Sequence, residues 1–250
     1  MEESYERAAG IIKESKCLIA LTGAGISVES GIPDFRSPGG LWERFDPMEY
    51  ANINSFMNNP RKVWDMFFSM KDIIGNAKPN PAHFALARFE EMGICKAVIT
   101  QNVDNLHQDA GTQNVIEFHG NFSRLECLNC GSSFRRDEFE LIDMPPECRN
   151  CGNILKPSVI FFGEMIPQNA LIESHRFAES TDVVMVIGTS ALVYPAMNIP
   201  YIAKRVGANI IEMNIEHTSL TESITDVFIE GEIGTTLATL QSHIERLILH

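Results

Sequence analysis

The sequence has no apolar run long enough to cross a membrane. Its longest runs, such as residues 159–162 and 183–187, fall far short of the roughly 20 residues that a membrane-spanning helix requires. The first residues are acidic and lack the basic stretch and apolar segment of a secretory signal. The sequence therefore predicts a protein without membrane contact that stays in the cytoplasm.

Positive charge is also scarce. The 250 residues contain 20 Lys and Arg against 33 Asp and Glu, which gives a formal net charge of −13. This balance would repel nucleic acid and anionic membranes and would favour basic partners such as lysine-rich tails, although it also serves plain solubility. We therefore expect no direct nucleic-acid binding.

Low-complexity tracts and internal repeats are absent as well. Hydrophobic residues make up 44% and charged residues 21% of the sequence, which is typical of an ordinary globular protein. The length suits one large α/β domain with a small appended module, and it is too short for two full-sized catalytic domains.

Short apolar runs alternate with helical segments along most of the chain. A helix is predicted at residues 2–15, and another is marked by Asn80 as N-cap, Pro81 in the first turn and Gly93 after the end. The alternation predicts a parallel sheet covered by helices on both faces. The predicted strands are residues 17–21, 97–100, 115–118, 183–187, 210–214 and 227–229.

Two insertions interrupt this alternation. Residues 36–79 contain a predicted helix at 61–74, and residues 121–156 are rich in cysteine. We expect the two insertions to form one small domain together. The main domain would then consist of residues 1–35, 80–120 and 157–250.

Four of the six cysteines form two Cys-x-x-Cys pairs. The pairs are Cys127 with Cys130 and Cys148 with Cys151, with residues 131–147 between them. This spacing is typical of tetrahedral zinc ribbons, and four thiolates leave no position for water, so the zinc ion would be structural. Two local disulfides or free thiols are the alternative, which the cytosolic compartment disfavours.

A glycine-rich loop follows the first predicted strand. Its residues are Gly23, Ala24, Gly25, Ile26 and Ser27, and a loop of this kind can present backbone N–H groups to a diphosphate. The usual dinucleotide fingerprint would require a third glycine where Val28 stands, and no second strand ending in an acidic residue follows. A hydride-transferring dehydrogenase is therefore disfavoured.

Further short sequence motifs follow the loop along the chain. They are residues 30–36 (Ser-Gly-Ile-Pro-Asp-Phe-Arg), 100–107 (Thr-Gln-Asn-Val-Asp-Asn-Leu-His), 119–120 (His-Gly), 156–164, 188–190, 193–195, 214–216 and 231–234. From about residue 10 to residue 240 the sequence resembles the sirtuin family. The resemblance implies a Rossmann-like sheet plus a small zinc-ribbon and helical domain. It also implies an NAD-dependent protein-lysine deacetylase that releases nicotinamide and passes the acyl group to ADP-ribose.

The same resemblance assigns the NAD contacts. The loop of residues 23–27 and Gly188, Thr189 and Ser190 would hold the diphosphate, and Gln101, Asn102 and Asp104 would flank the nicotinamide ribose. Ile26, Val103 and Asp104 would enclose the nicotinamide. The other implied contacts are Asp34, Phe35 and Arg36 as a mobile cover, Asn214, Ile215 and Glu216 at the adenosine ribose, and Ile233.

His119 is the candidate general base, with Asn102 as the second catalytic residue. His119 follows a predicted strand and precedes a glycine, which is a suitable place for a base that works near neutral pH. The pattern alone leaves an ordinary surface or core histidine open. The resemblance assigns the catalytic role to His119, whereas His83 and His107 are expected to support the fold or the pocket.

The implied substrate is an acyl-lysine protein or peptide, and the net negative charge of the sequence favours a basic one. By pattern residues 160–162 could be a buried strand, but the resemblance makes Ile160, Phe161, Phe162, Gly163 and Glu164 the substrate wall. A peptide strand would lie between this wall and Val193 with Tyr194. Phe67 and Met70 stand where relatives that prefer succinyl groups carry Tyr and Arg. They either border the acyl channel or form helix core, and both views predict no preference for anionic acyl groups.

The sequence offers two alternatives to this function. An NAD-consuming ADP-ribosyltransferase or NAD hydrolase could use the same pocket. A zinc-ribbon binding module with NAD as a structural ligand is disfavoured, because such a module has no need of Asn102, Asp104 and His119.

Overall fold

The computed structural model describes residues 2–140 and 145–249. These residues form nine strands, which are β1 (Leu18–Thr22), β2 (Cys95–Thr100), β3 (Val115–Glu117), β4 (Gly120–Glu126), β5 (Ser133–Arg135), β6 (Lys156–Val159), β7 (Val183–Ile187), β8 (Asn209–Asn214) and β9 (Val227–Glu230). Six of them build a sheet in the order β3-β2-β1-β7-β8-β9, in which every pairing is parallel. The predicted parallel sheet is confirmed.

The described helices cover both faces of this sheet and build the insertion between β1 and β2. They are α1 (Glu2–Glu14), α2 (Leu41–Arg44), α3 (Pro47–Tyr50), α4 (Ile53–Asn58), α5 (Pro60–Asn76), α6 (Pro81–Glu91), α7 (Leu106–Asp109), α8 (Gln168–Ser180), α9 (Asn198–Arg205), α10 (Ser219–Ser223) and α11 (Ile233–Leu249). Within the described ranges no helix combines the length and apolar character that a membrane crossing requires.

The strand sequences explain why the sheet is buried on both sides. Successive side chains of a strand point to opposite faces, so apolar residues at every position supply two cores. Leu18 and Ala20 of β1 pack with α1, α6 and α11, whereas Ile19 and Leu21 pack on the opposite face near α8 and α9. This is the pattern expected of a parallel sheet between two helix layers.

Helix α6 begins as its sequence predicts. The Asn80 side chain accepts a hydrogen bond from the Ala82 N–H at 2.9 Å, and Pro81 occupies the first turn. Gly93 lies just beyond the end with a φ of 73°, a left-handed conformation that glycine adopts without strain. The helix therefore leads directly into β2.

The small module is a three-stranded antiparallel sheet, β5-β4-β6, packed against the helices of the other insertion. Trp64 of α5 is fully buried, and its indole N–H donates to the Leu155 carbonyl at 2.9 Å. One apolar core thus joins both insertions. Strands β4 and β6 cross the predicted domain limits at 120/121 and 156/157, and the division into domains stays a prediction.

The strand suggested by pattern at residues 160–162 is wrong. Strand β6 ends at Val159, and the chain turns at Phe161, whose carbonyl accepts the Glu164 N–H at 3.0 Å. Gly163 has a φ of 90° in this turn, a conformation that favours glycine.

Candidate active site

Two loops at the carboxyl edge of the parallel sheet are joined backbone to backbone. The Gly25 N–H donates to the Gly188 carbonyl at 2.8 Å, and the Gly23 N–H donates to the Ile187 carbonyl at 3.0 Å. A Cβ on Gly25 would lie 2.8 Å from Gly188 Cα, so a larger residue would separate the loops. Glycine at these positions thus builds a narrow cradle next to β1 and β7, where ligands of open α/β sheets bind.

Side chains at the end of β8 and just after β2 hold this cradle together. Asn214 Nδ2 donates to the Thr189 carbonyl at 3.0 Å, and Gln101 Nε2 donates to the Thr189 hydroxyl at 3.0 Å. The residues predicted for the diphosphate and for the nicotinamide ribose therefore lie together. Ile215 and Glu216 are exposed beside Asn214.

Ser27, Asn102 and Asp104 form a compact polar cluster beside the cradle. The Ser27 hydroxyl donates to Asp104 Oδ2 at 2.7 Å and accepts from Asn102 Nδ2 at 3.1 Å. Burial raises the pKa of Asp104, while hydrogen bonds from the Leu106 N–H and Ser27 act in the opposite direction. Such a carboxyl group, sheltered from water, is a strong acceptor for hydroxyl or amide donors of a ligand.

His119 lies in the turn between β3 and β4 and is held in one tautomer. Its Nδ1 is 3.1 Å from the Gln101 carbonyl oxygen. Because a carbonyl oxygen can only accept, Nδ1 carries the proton and Nε2 keeps its lone pair. Burial lowers the pKa of His119, and the bond to Gln101 raises it less. The imidazole is therefore neutral near pH 7 and can serve as a general base through Nε2.

Gly120 allows His119 to lie close to β6. Its φ is 76°, and a Cβ there would lie 2.0 Å from the Ser158 carbonyl oxygen. The Ile160 N–H also donates to the His119 carbonyl at 2.9 Å. The predicted base and the strand that leads to the predicted substrate wall are thus linked through the backbone.

Some predicted NAD contacts lie in the interior. Ile26 is 0% exposed and Ile233 is 3% exposed, and both pack in the core formed with α1, α6 and α11. The side chains of both residues therefore serve the core, and a contact of either residue with NAD, which would be made through the backbone, stays a prediction. Val103 is half-buried, and its carbonyl accepts the Phe122 N–H at 2.9 Å.

The predicted cover of residues 34–36 is a turn closed by Asp34. The Asp34 carboxylate accepts from the N–H groups of Arg36 and Ser37, both at 2.8 Å, and from the Ser37 hydroxyl. Burial raises the pKa of Asp34, but these hydrogen bonds outweigh it and leave the pKa lowered. Phe35 stacks on Trp42 with ring centroids 4.9 Å apart, and Arg36 is exposed.

The predicted substrate wall is held from one side by the helical insertion. The Phe162 N–H donates to the Ala51 carbonyl at 2.8 Å, and the Phe162 carbonyl accepts from the Ile53 N–H at 3.1 Å. Both backbone groups of Phe162 are therefore used, which leaves the Gly163 side for the predicted peptide strand. Tyr194, on the opposite side in the prediction, is 66% exposed next to half-buried Val193.

Phe67 and Met70 are buried in α5. Phe67 stacks on Phe122 with centroids 5.2 Å apart and lies 6.0 Å from the Phe161 ring. Met70 belongs to the same apolar core. Both residues are thus buried in the core, and Phe67 also contacts Phe161 of the predicted substrate wall. That they border an acyl channel stays a prediction.

The four predicted zinc ligands converge. Their Sγ atoms all lie within 4.8 Å of one another, with 3.4 Å between Cys127 and Cys151 and 3.6 Å between Cys130 and Cys148. Zn–S bonds of about 2.3 Å in a tetrahedron place sulfurs roughly 3.8 Å apart, whereas a disulfide needs about 2.05 Å. The cluster therefore fits one zinc ion.

The two cysteine pairs lie on turns of the same form. Gly131 and Gly152 donate their N–H groups to the carbonyls of Cys127 and Cys148, at 2.9 and 2.8 Å. The N–H groups of the two cysteines donate to Ser132 and Asn153 at 2.8 and 2.7 Å. This repetition orients two thiols from each turn toward one point.

Behind the site lies a buried network of hydrogen bonds that the sequence patterns did not reveal. His107 Nε2 lies 2.9 Å from the Thr22 hydroxyl, which donates to the Thr100 hydroxyl at 2.9 Å. Since the only hydroxyl proton of Thr22 is used, His107 Nε2 must be the donor. Thr100 in turn accepts the Asn102 N–H at 3.1 Å. This hydrogen-bond network thus supports the loop that carries Asn102.

A parallel sheet with a glycine cradle, a sheltered carboxyl group and a neutral histidine at its carboxyl edge defines a Rossmann-like nucleotide-using enzyme. The sequence profile of the Sir2 family matches residues 23–195. NAD-dependent protein deacylase 2 of Pyrobaculum aerophilum is 45% identical over 238 residues, with 95% of each chain covered.

Solved structures agree with this match. A mutant Sir2 homologue in complex with ADP-ribose has a TM-score of 0.94 at 43% identity, covering 98% of each chain. Sir2Af2 bound to a myristoylated histone peptide has a TM-score of 0.86 at 41% identity, covering 100% of this chain and 99% of the other. The chain belongs to the Sir2 family. It is an NAD-dependent protein deacylase with a site for one structural zinc ion.

Proposed function

We propose that the enzyme transfers acetyl and longer apolar acyl groups from lysine side chains to the ADP-ribose part of NAD, with His119 as general base. The observation that carries this proposal is the fixed tautomer of His119, which leaves Nε2 basic, while Nδ1 bonds to the carbonyl of Gln101, the residue just before Asn102 of the polar cluster. The ADP-ribose and acyl-peptide complexes of similar proteins support it.

Residues along the carboxyl edge of the sheet have different roles in binding and proton transfer. NAD supplies the ribose that accepts the acyl group once nicotinamide has left. The loop of residues 23–27 and residues 188–190 hold the diphosphate, and Asn214, Ile215 and Glu216 meet the adenosine ribose. Asn102 and Asp104 hold the groups around the reacting ribose, while Asp34, Phe35 and Arg36 shelter it from water. His119 Nε2 then accepts the proton of a ribose hydroxyl.

The acyl preference follows from α5. Phe67 and Met70 are apolar and buried in the core that contains Phe161, and Phe67 lies against the Phe161 ring, so neither can neutralise an anionic acyl group. A carboxylate placed beside them without a cation would lose its hydration, and that loss costs several kcal/mol. Met adapts its shape, so longer apolar chains should be accepted. We expect acetyl-lysine to be a good substrate and succinyl-lysine a poor one.

One peptide carrying acetyl, myristoyl or succinyl on the same lysine tests this order. We expect kcat/KM for succinyl to be about 100-fold or more below that for acetyl, since each 1.4 kcal/mol is tenfold. Met70→Arg should narrow the gap. Equal turnover of both groups would refute the assignment, and Arg136, which lies 5.6 Å over the Phe122 ring that stacks on Phe67, would be the cation to examine.

The same assay separates deacylation from NAD hydrolysis. We expect nicotinamide release to depend on the acyl-lysine peptide and to be matched by formation of acyl-ADP-ribose. Equal release without peptide would indicate an NAD hydrolase, and ADP-ribose attached to the peptide would indicate an ADP-ribosyltransferase.

We expect basic protein partners because the enzyme carries a net negative charge. The formal charge of −13 favours basic acyl-lysine proteins of the cytoplasm over nucleic acid. A lower KM for an acetyl peptide flanked by lysines than for one flanked by glutamates would support this preference, and the reverse order would contradict it.

A further inference from the structure

Lys156 is a fully buried cation that lies between the zinc module and the substrate wall. Its side chain is 0% exposed, and Nζ lies 3.0 Å from both Glu126 Oε1 and Glu164 Oε2. Nζ also donates to the Val159 carbonyl at 2.7 Å. A buried charge is tolerated only with such complete pairing, so the position of Lys156 is tightly defined.

The first carboxylate connects Lys156 to the zinc site. Glu126 ends β4 and directly precedes the zinc ligand Cys127. In the register of β4 and β6, Glu126 is the partner of Lys156. The ion pair therefore fixes the strand end that delivers Cys127.

The second carboxylate connects Lys156 to the turn of residues 161–164. Glu164 Oε2 accepts the Phe161 N–H at 2.7 Å, and the Glu164 N–H donates to the Phe161 carbonyl at 3.0 Å. Nζ also lies 4.6 Å from the centre of the Phe161 ring, a favourable cation–π distance. Lys156 thus stabilises both the carboxylate and the ring that close this turn.

We propose that Lys156 is a positioning residue for the acyl-lysine peptide: through Glu164 it holds the turn that presents Phe162 and Gly163, and through Glu126 it links that turn to the zinc site. This inference rests on the proposed function, because the turn is the proposed substrate wall. It predicts that loss of the ion pairs weakens peptide binding before it affects NAD binding.

The expected selectivity follows from where the NAD loops are held. Gly25 bonds to Gly188 and Gln101 to Thr189, and these contacts connect β1, β2 and β7. Lys156 acts on β4, β6 and the turn. Its loss should therefore change the KM for peptide more than the KM for NAD.

The test compares steady-state kinetics of Glu164→Gln, Glu126→Gln, Lys156→Met and Lys156→Arg with an acetyl-lysine peptide, together with bound zinc and melting temperature. For Glu164→Gln we expect the peptide KM to rise about tenfold or more, as for a lost charge-assisted contact, with the NAD KM and zinc content unchanged. Glu126→Gln should show a smaller rise. Lys156→Arg, which keeps the charge, should be closer to the wild type than Lys156→Met.

Lys204→Met is the matched control. Lys204 pairs with Asp226 at 2.6 Å, and Asp226 accepts the Ile210 N–H near the start of β8, at the sheet edge opposite the NAD loops. An unchanged peptide KM in both glutamine variants, or an equal rise in the NAD KM, would overturn the inference. If Glu164→Gln does not fold, Glu126→Gln decides, since Glu126 is 39% exposed. A wild type without peptide turnover would instead refute the proposed function.

Discussion

The buried pair His83 and His107 should make the enzyme acid-labile. Their side chains are 0% and 1% exposed, and their ring centroids lie 4.9 Å apart. His83 Nδ1 accepts the Asn80 N–H at 3.3 Å, so its proton is on Nε2. Among the described residues, His83 Nε2 and His107 Nδ1 have no hydrogen-bond partner. Protonation of either ring would therefore place an uncompensated charge in the protein interior.

The stability cost can be worked out from the pKa values. Burial lowers the pKa of His83 to about 4, and burial together with the neighbouring His83 lowers that of His107 to about 3. In the unfolded chain both would titrate near 6.5. As the pH falls below about 6.5, the unfolded chain binds protons that the folded chain refuses, so stability is lost until the folded pKa values are reached.

Between pH 7 and pH 5 proton uptake by each histidine of the unfolded chain lowers the free energy of unfolding by the equivalent of about 1.4 pKa units. That amounts to about 2 kcal/mol for each residue and about 4 kcal/mol for the pair. A typical domain has only about 5–15 kcal/mol of stability in total. The pair alone should therefore remove a large part of the free energy of unfolding at pH 5.

The assay is urea unfolding at pH 7 and pH 5 for the wild type and for the double variant His83→Asn/His107→Asn. Asparagine keeps an acceptor at 83 and a donor at 107 but does not titrate, so the loss on acidification should be about 4 kcal/mol smaller in the variant. His175→Asn, which removes a histidine of α8 outside the pair, should behave like the wild type. Equal pH dependence in the wild type and the double variant would refute the reasoning.

Other predictions concern the base, the zinc site and one glycine. His119→Ala should lower turnover by about 10²- to 10⁴-fold while NAD affinity is retained, and full turnover would remove His119 from the reaction. Because burial lowers the pKa of His119, kcat/KM should rise with pH through a value below the usual 6.5 and level off by pH 7; a rise centred above pH 7 would contradict this. Cys148→Ala should lose zinc, melting temperature and activity together, so a zinc-free variant with full activity and stability would show the ion to be dispensable. Gly120→Ala should be strongly destabilised, because the new Cβ would lie 2.0 Å from the Ser158 carbonyl oxygen, whereas Gly10→Ala in α1, with nothing within 4 Å, should be neutral or stabilising.

The features that the sequence predicted correctly depend on residues close together in the chain. The cap at Asn80, the strand at residues 183–187 and each Cys-x-x-Cys turn are set within a few positions. Local propensity and periodicity suffice for such features. The order of blocks then identified the family, because several short motifs agreed at once.

The features that the sequence did not reveal depend on contacts between distant segments. The role of Lys156 follows from the register of β4 against β6, and the contact of His83 with His107 joins two helices. Ile26 fits a cofactor-binding motif, yet its side chain packs in the core, because a motif describes the backbone path and not the direction of each side chain. A strand ending at Val159 could not be foreseen either, since its end is set by the turn that Glu164 closes.

The placement of the zinc module explains why a structural ion belongs in this enzyme. The parallel sheet alone supplies the NAD loops and His119, but it offers no wall for a peptide. The chain leaves the sheet after His119, passes through the zinc module and returns along β6, where Ile160 bonds to the His119 carbonyl just before the turn of residues 161–164. The proposed substrate wall is thus fixed to His119, the proposed base, at one end and to the strands of the zinc module at the other. A change in the module would therefore be expected to misplace the acyl-lysine relative to His119 Nε2, and a displacement of about 1 Å is enough to cost roughly 100-fold in rate.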